Sequence, residues 1–510
     1  MITSLSPNFA SIRTLIDAQA ELQPNALYAV AAEPNSAASN QISYADLAIA
    51  CNNIESVLQQ NGLVAGDTVS VIMPNGLMTL RLLLGVMYAG MAVNPVNLLS
   101  QADQMQYVLE HSDCKLIFAD GQWAQRLLPI VAKMSRTVKV VIVEADADSV
   151  VGAAPSTSSK PANPVPSTPA LLMYTSGTTG QPKGVVLTHG NLLANAKAIS
   201  SEHELTAKDR VHGVLPFYHI NAFTVVMLAP LFHGGSIAVA PKFSSARYWN
   251  QVLETQCTWI NVVPTIISYL LEGDAPKATL NAVRFCRSAS AALPPEHLLA
   301  FEKKFGLGVI ETMGLTETAA PSFSNPLNPA ERKVGAVGKA SGCEAGVVDA
   351  QLTPVADGVT GEIVIRGQHV MLGYYKNGAA TKATFTDDGW LRTGDLGHRD
   401  EDGFFFVTGR IKELIIKGGE NIAPREIDEA LLKHPAILEA AVVGIPDKHY
   451  GQEILACIVL REGQAQDVAE LRKFCETNLG RYKTPKEFRF VESLPRGPSG
   501  KVQRLKLLEG

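Results

Sequence analysis

Apolar segments of strand length alternate with helix-length segments over the first 290 residues of the chain. The segment DTVSVIMPN has the pattern of a strand, the run 77–89 is long enough for a buried helix, and MAVNPVN follows as a second strand. Together they predict a parallel β–α–β crossover. Similar short apolar runs are KLIFAD, VKVVIVE, ALLMY, TWINVVP and VRFCRSAS. The alternation predicts an α/β fold whose large amino-terminal domain has mostly parallel sheets flanked by helices.

Beyond Arg410 the pattern changes to that of a small α+β carboxy-terminal domain of about a hundred residues. The segments PREIDEALLKH and DVAELRKFCETNLG predict helices, and the second of them ends at Gly480. The segments EAAVVGI, ILACIVL and KEFRFVE predict strands. Between residues 152 and 170 the chain is rich in Pro, Ser and Ala, which predicts an exposed loop and not a domain boundary.

Composition is that of a large globular protein. The 510 residues are 46% hydrophobic, which is enough for more than one core. Charged residues make up 18%, fewer than the roughly 25% of an average globular protein. The formal net charge is −5 and no basic block is present, so nucleic acid is not an expected partner.

Three features bear on the compartment. The first twenty residues have no basic region followed by an apolar core, so they do not predict a secretory signal. The charge-free run 211–241 is interrupted by Pro, His and Gly, which favours a core segment over a transmembrane span. Seven cysteines without a C-x-x-C pair predict free thiols in a reducing cytoplasm and no zinc site.

The stretch YTSGTTGQPKG from Tyr174 to Gly184 predicts a phosphate-binding loop. Its glycines let successive N–H groups point at an anion, and Lys183 supplies a positive charge. The spacing is not that of a P-loop, because Lys183 lies between Pro182 and Gly184. Composition alone would also suit a solvated flexible loop. The hydroxyl donors of the loop are Thr175, Ser176, Thr178 and Thr179.

This string resembles the signature loop of the adenylate-forming superfamily, which includes acyl-CoA synthetases, peptide-synthetase adenylation domains and beetle luciferases. Further matches follow in the family's order from residue 174 to residue 501. They are LPFYH, GLTET, GEIVIRG, RTGD, GRIKELI, KGGENI and PRGPSGK. The resemblance implies a carboxylate-CoA ligase that uses ATP, Mg²⁺ and coenzyme A. A carboxylate would attack the α-phosphate to form an acyl-adenylate, and the thiol of coenzyme A would then displace AMP.

The resemblance also implies a division of the chain. Residues 1–409 would form the large adenylation domain, residues 410–412 the hinge, with Lys412 at its centre, and residues 413–510 the mobile domain. Gly418 and Gly419 would let the pantetheine thiol pass close to the backbone. Lys501 would bridge carboxylate and α-phosphate oxygens at the reacting centre.

The remaining nucleotide contacts are assigned by the same resemblance. Glu317 would bind Mg²⁺ together with Thr175, and Thr316 would contact phosphate. Asp395 would bind the ribose hydroxyls, and Arg410 would reach the ribose or the phosphate. Cofactor contacts are also expected from the loop residues Thr175, Ser176, Gly177, Thr178, Thr179 and Lys183, and from Met313 and Gly314. Met313 occupies the position where family members commonly have an aromatic residue beside the adenine.

The acid would bind near LPFYH, the segment around Thr265 and the SAS segment. His219 matches a catalytic gate position near the carboxylate and the thiol path. The polar character of this region predicts a small or polar carboxylic acid, and Arg287 could pair a second anionic group on it. The expected substrate-binding residues are His219, Asn221, Thr265, Arg287 and Ser288.

The sequence is also compatible with other functions. An acyl-AMP ligase would pass the acyl group to a carrier-protein thiol, and a luciferase-type oxygenase shares the fold. A noncatalytic nucleotide-binding protein belongs to a different class and would be expected to lose the charged residues of the motifs. Lys183, Glu317, Asp395, Arg410 and Lys501 are all present.

Overall fold

The computed structural model describes residues 9–33, 40–150, 162–175, 181–276, 278–497 and 502–509. Its strands are β1 Leu27–Ala31, β2 Gln41–Ser43, β3 Thr68–Ile72, β4 Ala92–Pro95, β5 Leu116–Ala119, β6 Lys139–Ile142, β7 Pro169–Thr175, β8 Lys183–Thr188, β9 Arg210–Gly213, β10 Ser236–Val239, β11 Trp259–Val262, β12 Phe285–Ser288, β13 Val309–Leu315, β14 Ala320–Ser324, β15 Lys339–Ala340, β16 Glu344–Val348, β17 Gly361–Arg366, β18 Gly373–Tyr374, β19 Leu391–Arg399, β20 Phe405–Arg410, β21 Ile415–Lys417, β22 Glu420–Ile422, β23 Ile437–Asp447, β24 Gly451–Leu460 and β25 Glu487–Phe490.

The α-helices are α1 Ile12–Leu22, α2 Tyr44–Gln60, α3 Leu77–Tyr88, α4 Ala102–His111, α5 Gly121–Val131, α6 His189–Glu202, α7 Ala229–His233, α8 Tyr248–Glu254, α9 Pro264–Glu272, α10 Pro295–Phe305, α11 Gly378–Thr384, α12 Pro424–Leu432 and α13 Val468–Lys483. A π-helix spans Asn221–Leu228, and short 3-10 helices span Thr316–Thr318, Pro329–Glu331, Ile411–Glu413 and Arg504–Leu508.

The predicted crossover is present in a seven-stranded sheet with the order β18-β8-β7-β4-β3-β5-β6. Strands β3 and β4 are parallel, and helix α3 between them is buried along its whole length. The apolar runs predicted as strands form β5, β6 and β7. Strands β7 and β8 form an antiparallel hairpin, which holds both ends of the predicted phosphate-binding loop.

A nine-stranded sheet has the order β15-β14-β13-β12-β11-β9-β10-β1-β2 and is parallel over its central strands. Its register places Asn261 of β11 opposite Arg287 of β12, and Ser288 of β12 opposite Glu311 of β13. Because side chains alternate along a strand, Arg287 and Ser288 point to opposite faces. The charge-free run 211–241 contributes β9, the π-helix, α7 and β10 to this sheet and its cover, and it is a core segment, as predicted.

An antiparallel sheet with the order β16-β17-β19-β20 was not predicted. A fourth sheet is formed by β21 to β25 and packs with α12 and α13 around apolar clusters drawn from residues 415–507. This is the α+β organisation expected of the carboxy-terminal segment. Gly480 has φ 74° and interrupts α13 where the sequence predicted its end. The boundary at residue 409 and the hinge at Lys412 stay predictions.

None of the helices that the structure describes combines the length and the apolar character needed to cross a bilayer. All seven cysteines are free, and six of them are buried.

Several buried histidines make the fold sensitive to acid. Burial lowers the pKa of His203 to about 3 and the pKa of His212 and of His233 to about 4, from an ordinary value of 6.5. Below pH 6.5 the unfolded chain binds protons at these rings, whereas the folded chain does so only near pH 4. Stability is therefore lost as the pH falls through this window, on the order of 2 kcal/mol per histidine at pH 5.

We expect the urea midpoint of unfolding to fall markedly between pH 7.5 and pH 5.0. Burial raises the pKa of Glu311 to about 7 and also raises the pKa of Glu202 and of Asp428, and these carboxyl groups act in the opposite direction. His212→Phe should reduce the pH dependence, because the ring that lies edge-on to Tyr248 at 4.8 Å then no longer titrates. A midpoint that is constant or rises in acid would contradict this account.

Candidate active site

The β7–β8 hairpin fixes both ends of the predicted phosphate-binding loop. Thr175 and Lys183 are paired across the two strands, and the Thr175 hydroxyl donates to the Lys183 carbonyl oxygen at 3.5 Å. The two side chains therefore start from neighbouring positions at the loop end of the hairpin. The predicted contacts Ser176, Gly177, Thr178 and Thr179 lie outside the described residues.

Tyr374 links two predicted site residues that are far apart in sequence. The Lys183 Nζ atom lies 4.8 Å from the centroid of the Tyr374 ring, and the Tyr374 hydroxyl donates to Glu317 Oε1 at 2.8 Å. Burial and the neighbouring Glu317 carboxylate raise the Tyr374 pKa well above its ordinary value, so the phenol keeps its proton and remains a donor. Tyr374 was missed from sequence because a short strand carries it, and β18 reaches Glu317 only by pairing with β8.

The Glu317 region suits a hard cation bound together with a nucleotide. Thr316 and Glu317 lie on the short helix that follows Gly314 and Leu315, two residues that line the central cleft. A Mg²⁺ ion bound to nucleotide phosphates takes oxygen ligands, and the Glu317 carboxylate can supply one. The Lys183 ammonium can bind the phosphates themselves. When bound, Mg²⁺ neutralises phosphate charge, and Glu317 and Thr175 are the residues that would hold it.

Asp395 and Arg410 are neighbours in space as well as in motif order. They are directly opposite on β19 and β20, and Arg410 Nε donates to Asp395 Oδ1 at 2.5 Å. Burial favours loss of the Arg410 charge, but the Asp395 carboxylate outweighs it and the Arg410 pKa is raised. The pair therefore presents a fixed carboxylate and a fixed guanidinium to the cleft.

The cleft itself has a volume of about 330 Å³ and lies between the large amino-terminal part and the carboxy-terminal segment. Its wall on the carboxy-terminal side includes Arg496 and Val502, which flank a segment containing Lys501. Lys501 itself lies outside the described residues. The predicted site residues that line the cleft are Thr265, Met313, Gly314, Asp395 and Arg410.

Behind the cleft lies a buried polar cluster centred on Arg287. Its Nη1 donates to Asn261 Oδ1 at 2.7 Å and to Asn221 Oδ1 at 3.0 Å. The Asn221 amide donates in turn to Ser290 Oγ at 3.2 Å, and Ser290 lines the cleft. Ser290 has φ 75°, a strained value for a non-glycine residue that is typical of functional sites. The cluster therefore connects the buried guanidinium to the cleft wall.

Arg287 carries its charge without an acidic partner. It is 1% exposed, and no carboxylate of the described residues lies within 4.0 Å of it. Burial lowers its pKa to about 9, and its Nε has no hydrogen-bond partner among the described residues. Asn261 and Ser290 were not singled out from sequence, although Ser290 belongs to the SAS segment. Ser288 was singled out, but it points to the other face of the sheet.

His219, Gly418, Gly419 and Lys412 are not among the residues that line the cleft. His219 is half-buried just before the π-helix, with its ring centroid 4.7 Å from that of Tyr218. Gly418 and Gly419 form the β21–β22 turn with φ values of 56° and 88°. Lys412 lies in the 3-10 helix between Arg410 and β21. The expected contacts of the two glycines would therefore need another domain arrangement.

Two family models match the chain. The AMP-binding enzyme model covers residues 16–375, and the AMP-binding enzyme C-terminal domain covers residues 426–501. The chain belongs to the AMP-binding enzyme family. This membership and the relatives below confirm the predicted adenylate-forming superfamily and its carboxylate-CoA ligase branch.

Two of the curated relatives of this chain are CoA ligases that act on small acids. The chain is 53% identical over 508 residues to the sulfoacetate-CoA ligase of Cupriavidus necator, covering 98% of each protein. It is 36% identical over 459 residues to the oxalate-CoA ligase of Arabidopsis thaliana, covering 87% of this chain and 88% of the relative. The acids in these two names agree with the predicted small or polar carboxylic acid.

A solved relative was determined in two states. The ATP-bound MatB of Rhodopseudomonas palustris is 30% identical over 98% of each chain, with a TM-score of 0.89. The same protein without ligand gives a TM-score of 0.77 over the same coverage. Because the sequence is the same in both comparisons, the difference is conformational. The overall conformation described here is closer to that of the ATP-bound relative.

The predicted class and cosubstrates follow from the family. The chain is an AMP-forming carboxylate-CoA ligase, and its substrates are a carboxylic acid, ATP and coenzyme A, with Mg²⁺ as the cofactor. The roles of the individual site residues remain predictions.

Tyr374→Phe should weaken the use of Mg²⁺ while the protein stays folded. The change removes the hydroxyl that orients Glu317 but keeps the ring beneath Lys183. A hydrogen bond to a charged group contributes about 1.5–3 kcal/mol, so we expect the apparent Mg²⁺ constant for ATP binding and adenylation to rise about tenfold or more. Titrations of Mg²⁺ by calorimetry and by pyrophosphate release measure it.

Tyr375→Phe is the matched control. The Tyr375 hydroxyl donates to Asp113 at 2.9 Å and does not reach Glu317. Equal effects of the two substitutions, or a normal Mg²⁺ titration of Tyr374→Phe, would show that Tyr374 does not act through Glu317.

Proposed function

We propose that the chain activates a short carboxylic acid that carries a second anionic group, and that sulfoacetate is its substrate. The observation that carries this proposal is the buried guanidinium of Arg287, which only neutral amide oxygens hold. The 53% identity to a sulfoacetate-CoA ligase over the full chain supports it.

An unpaired buried charge such as that of Arg287 is energetically costly. Taking a guanidinium out of water is expensive, and hydrogen bonds to two asparagine oxygens offset that cost only in part. A sulfonate or carboxylate placed against Arg287 would supply the missing opposite charge. Arginine suits such a group because its fork of N–H donors matches a planar or pyramidal oxyanion.

The length of the acid is limited by the path from Arg287 to the cleft. Asn221 bridges Arg287 and Ser290 through one side-chain amide, and Ser290 lines the cleft. An acid anchored at Arg287 therefore needs few atoms to present its carboxylate at the cleft. Sulfoacetate has one methylene between its sulfonate and its carboxylate, which suits this short path.

The remaining residues act in two steps in this proposal. During adenylation Lys183 and Arg410 contact phosphate, Glu317 and Thr175 hold Mg²⁺, Asp395 holds the ribose, and Lys501 supports the reacting oxygens. Residues 413–510 then rotate about Lys412 relative to residues 1–409, which brings Gly418 and Gly419 to the thiol path, where His219 already occupies the gate position. The higher TM-score with the ATP-bound relative supports adenylation as the arrangement described here.

We also propose that the protein works in the cytoplasm. The seven free thiols, most of them buried, support a reducing compartment.

Arg287→Met should change which acids are activated. For sulfoacetate we expect kcat/KM to fall by about 10²-fold or more, because the charged partner of the sulfonate is lost. Acetate has no second anion, so its kcat/KM should stay the same or rise. Pyrophosphate release and thioester formation with both acids measure this selectivity.

Arg284→Met is the matched control, since Arg284 lies three positions earlier and pairs with Asp209 at 2.8 Å. It should leave the ratio of the two acids unchanged. A parallel loss for both acids in Arg287→Met would mean that Arg287 supports the fold and does not bind the second anion. A wild-type protein that prefers acetate would contradict the proposed substrate.

Lys501→Ala should separate the two half-reactions. Removal of one preorganised donor typically costs on the order of 10²- to 10³-fold, so adenylation should fall by that factor. Thioester formation from pre-made acyl-adenylate and coenzyme A should stay close to the wild-type rate. Lys412→Pro should do the reverse by restricting φ at the hinge. Equal damage to both steps in Lys501→Ala would exclude the two-arrangement mechanism for this protein.

A further inference from the structure

The arginines that line the described part of the cleft are all paired with acids. Arg410 contacts Asp395 at 2.5 Å, Arg425 contacts Glu429 at 2.6 Å, and Arg496 contacts Glu439 at 2.6 Å. Arg504 differs from these three because it holds two acids at once, Glu413 and Asp428. Both of these acids also line the cleft.

Every nitrogen of the Arg504 guanidinium is engaged. Nε donates to Glu413 Oε2 at 3.1 Å, and Nη2 donates to Asp428 Oδ2. Nη1 donates to the Val442 carbonyl oxygen at 2.9 Å and to Asp428 Oδ1 at 3.3 Å. Asp428 Oδ1 also accepts from the Val442 N–H at 2.8 Å. The side chains of Arg504 and Asp428 are only 17% and 11% exposed, so solvent screens this contact weakly.

These contacts join three segments at one wall of the cleft. Glu413 ends the 3-10 helix that begins directly after Arg410, and Asp428 lies on α12. Arg504 begins the 3-10 helix near the end of the chain. Asp395 and Arg410, the predicted ribose contacts, line the same cleft.

We propose that Arg504 is a positioning residue whose single positive charge offsets one of the two negative charges of Glu413 and Asp428 at the cleft wall and so favours entry of the ATP triphosphate. This inference rests on the proposed function only for the chemistry that follows ATP binding. Without Arg504, two carboxylates would face the cleft, and both would repel a triphosphate in a site that water screens poorly. Arg504 also fixes α12 relative to Glu413, which keeps the wall in place.

The test compares Arg504→Met with two other variants. Arg504→Met keeps the length of the side chain but removes its charge. We expect the Kd for Mg-ATP measured by calorimetry, and the KM for ATP in adenylation, to rise by about 10- to 100-fold. Adding Glu413→Gln to Arg504→Met should recover part of that loss, because one repelling charge is then removed. Thioester formation from pre-made acyl-adenylate should stay within about twofold of wild type.

Arg489→Met is the matched control for anchoring. Arg489 Nη1 donates to the Leu507 carbonyl oxygen at 2.8 Å and so holds the same terminal helix without neutralising an acid. It should leave the affinity for ATP near that of wild type. Three results would each overturn the proposal: an unchanged ATP affinity in Arg504→Met, the same loss in Arg489→Met, or no recovery on adding Glu413→Gln.

The calorimetric measurement separates this inference from the proposed function. A wild-type protein that binds ATP but activates no short dianionic acid would contradict the proposed substrate alone. The affinities of wild type and Arg504→Met for ATP would still decide the role of Arg504.

Discussion

One buried positive charge constrains the arrangement of the acyl site. The guanidinium of Arg287 lies inside the nine-stranded sheet, where strand register places Asn261 beside it and the π-helix supplies Asn221. Both neighbours offer amide oxygens, which orient the guanidinium but leave its charge uncompensated. A buried charge in that state favours any small anion that can reach it. In this proposal the fold selects the acid through the buried charge of Arg287, and this selection does not depend on contacts with the carboxylate that is activated.

The arginines around the proposed nucleotide site differ from Arg287 in their charged partners. Each arginine of the described cleft wall already has an acidic partner, as in the pairs Arg410–Asp395 and Arg504–Asp428. The guanidinium groups of the wall are thus held by ion pairs before a nucleotide binds. Pairs of this kind fix side-chain geometry, which lowers the entropy lost when the ribose and phosphates are bound. In the proposed mechanism, acid recognition relies on an unpaired charge, whereas nucleotide recognition relies on paired ones.

Sequence predicted the parts of the fold and site that depend on local pattern. The parallel crossover around α3 was accessible in this way. The resemblance assigned Asp395 and Arg410 to the nucleotide, but it did not predict their ion pair with each other. Tyr374 and Asn261 were not, because each is a single side chain that strand pairing brings to a distant motif. The antiparallel sheet was also missed. Its strands β19 and β20 are half-buried with shifts in register, so they lack the period-2 alternation that identifies a strand.

The most direct test of the account is a crystal structure of the protein with AMP and sulfoacetate. The account predicts a sulfonate oxygen within about 3 Å of the Arg287 guanidinium, with the Asn221 and Asn261 contacts retained and the carboxylate directed at the cleft. A sulfonate bound elsewhere, with Arg287 still held by the two asparagines alone, would contradict the claim that the unpaired charge selects the acid.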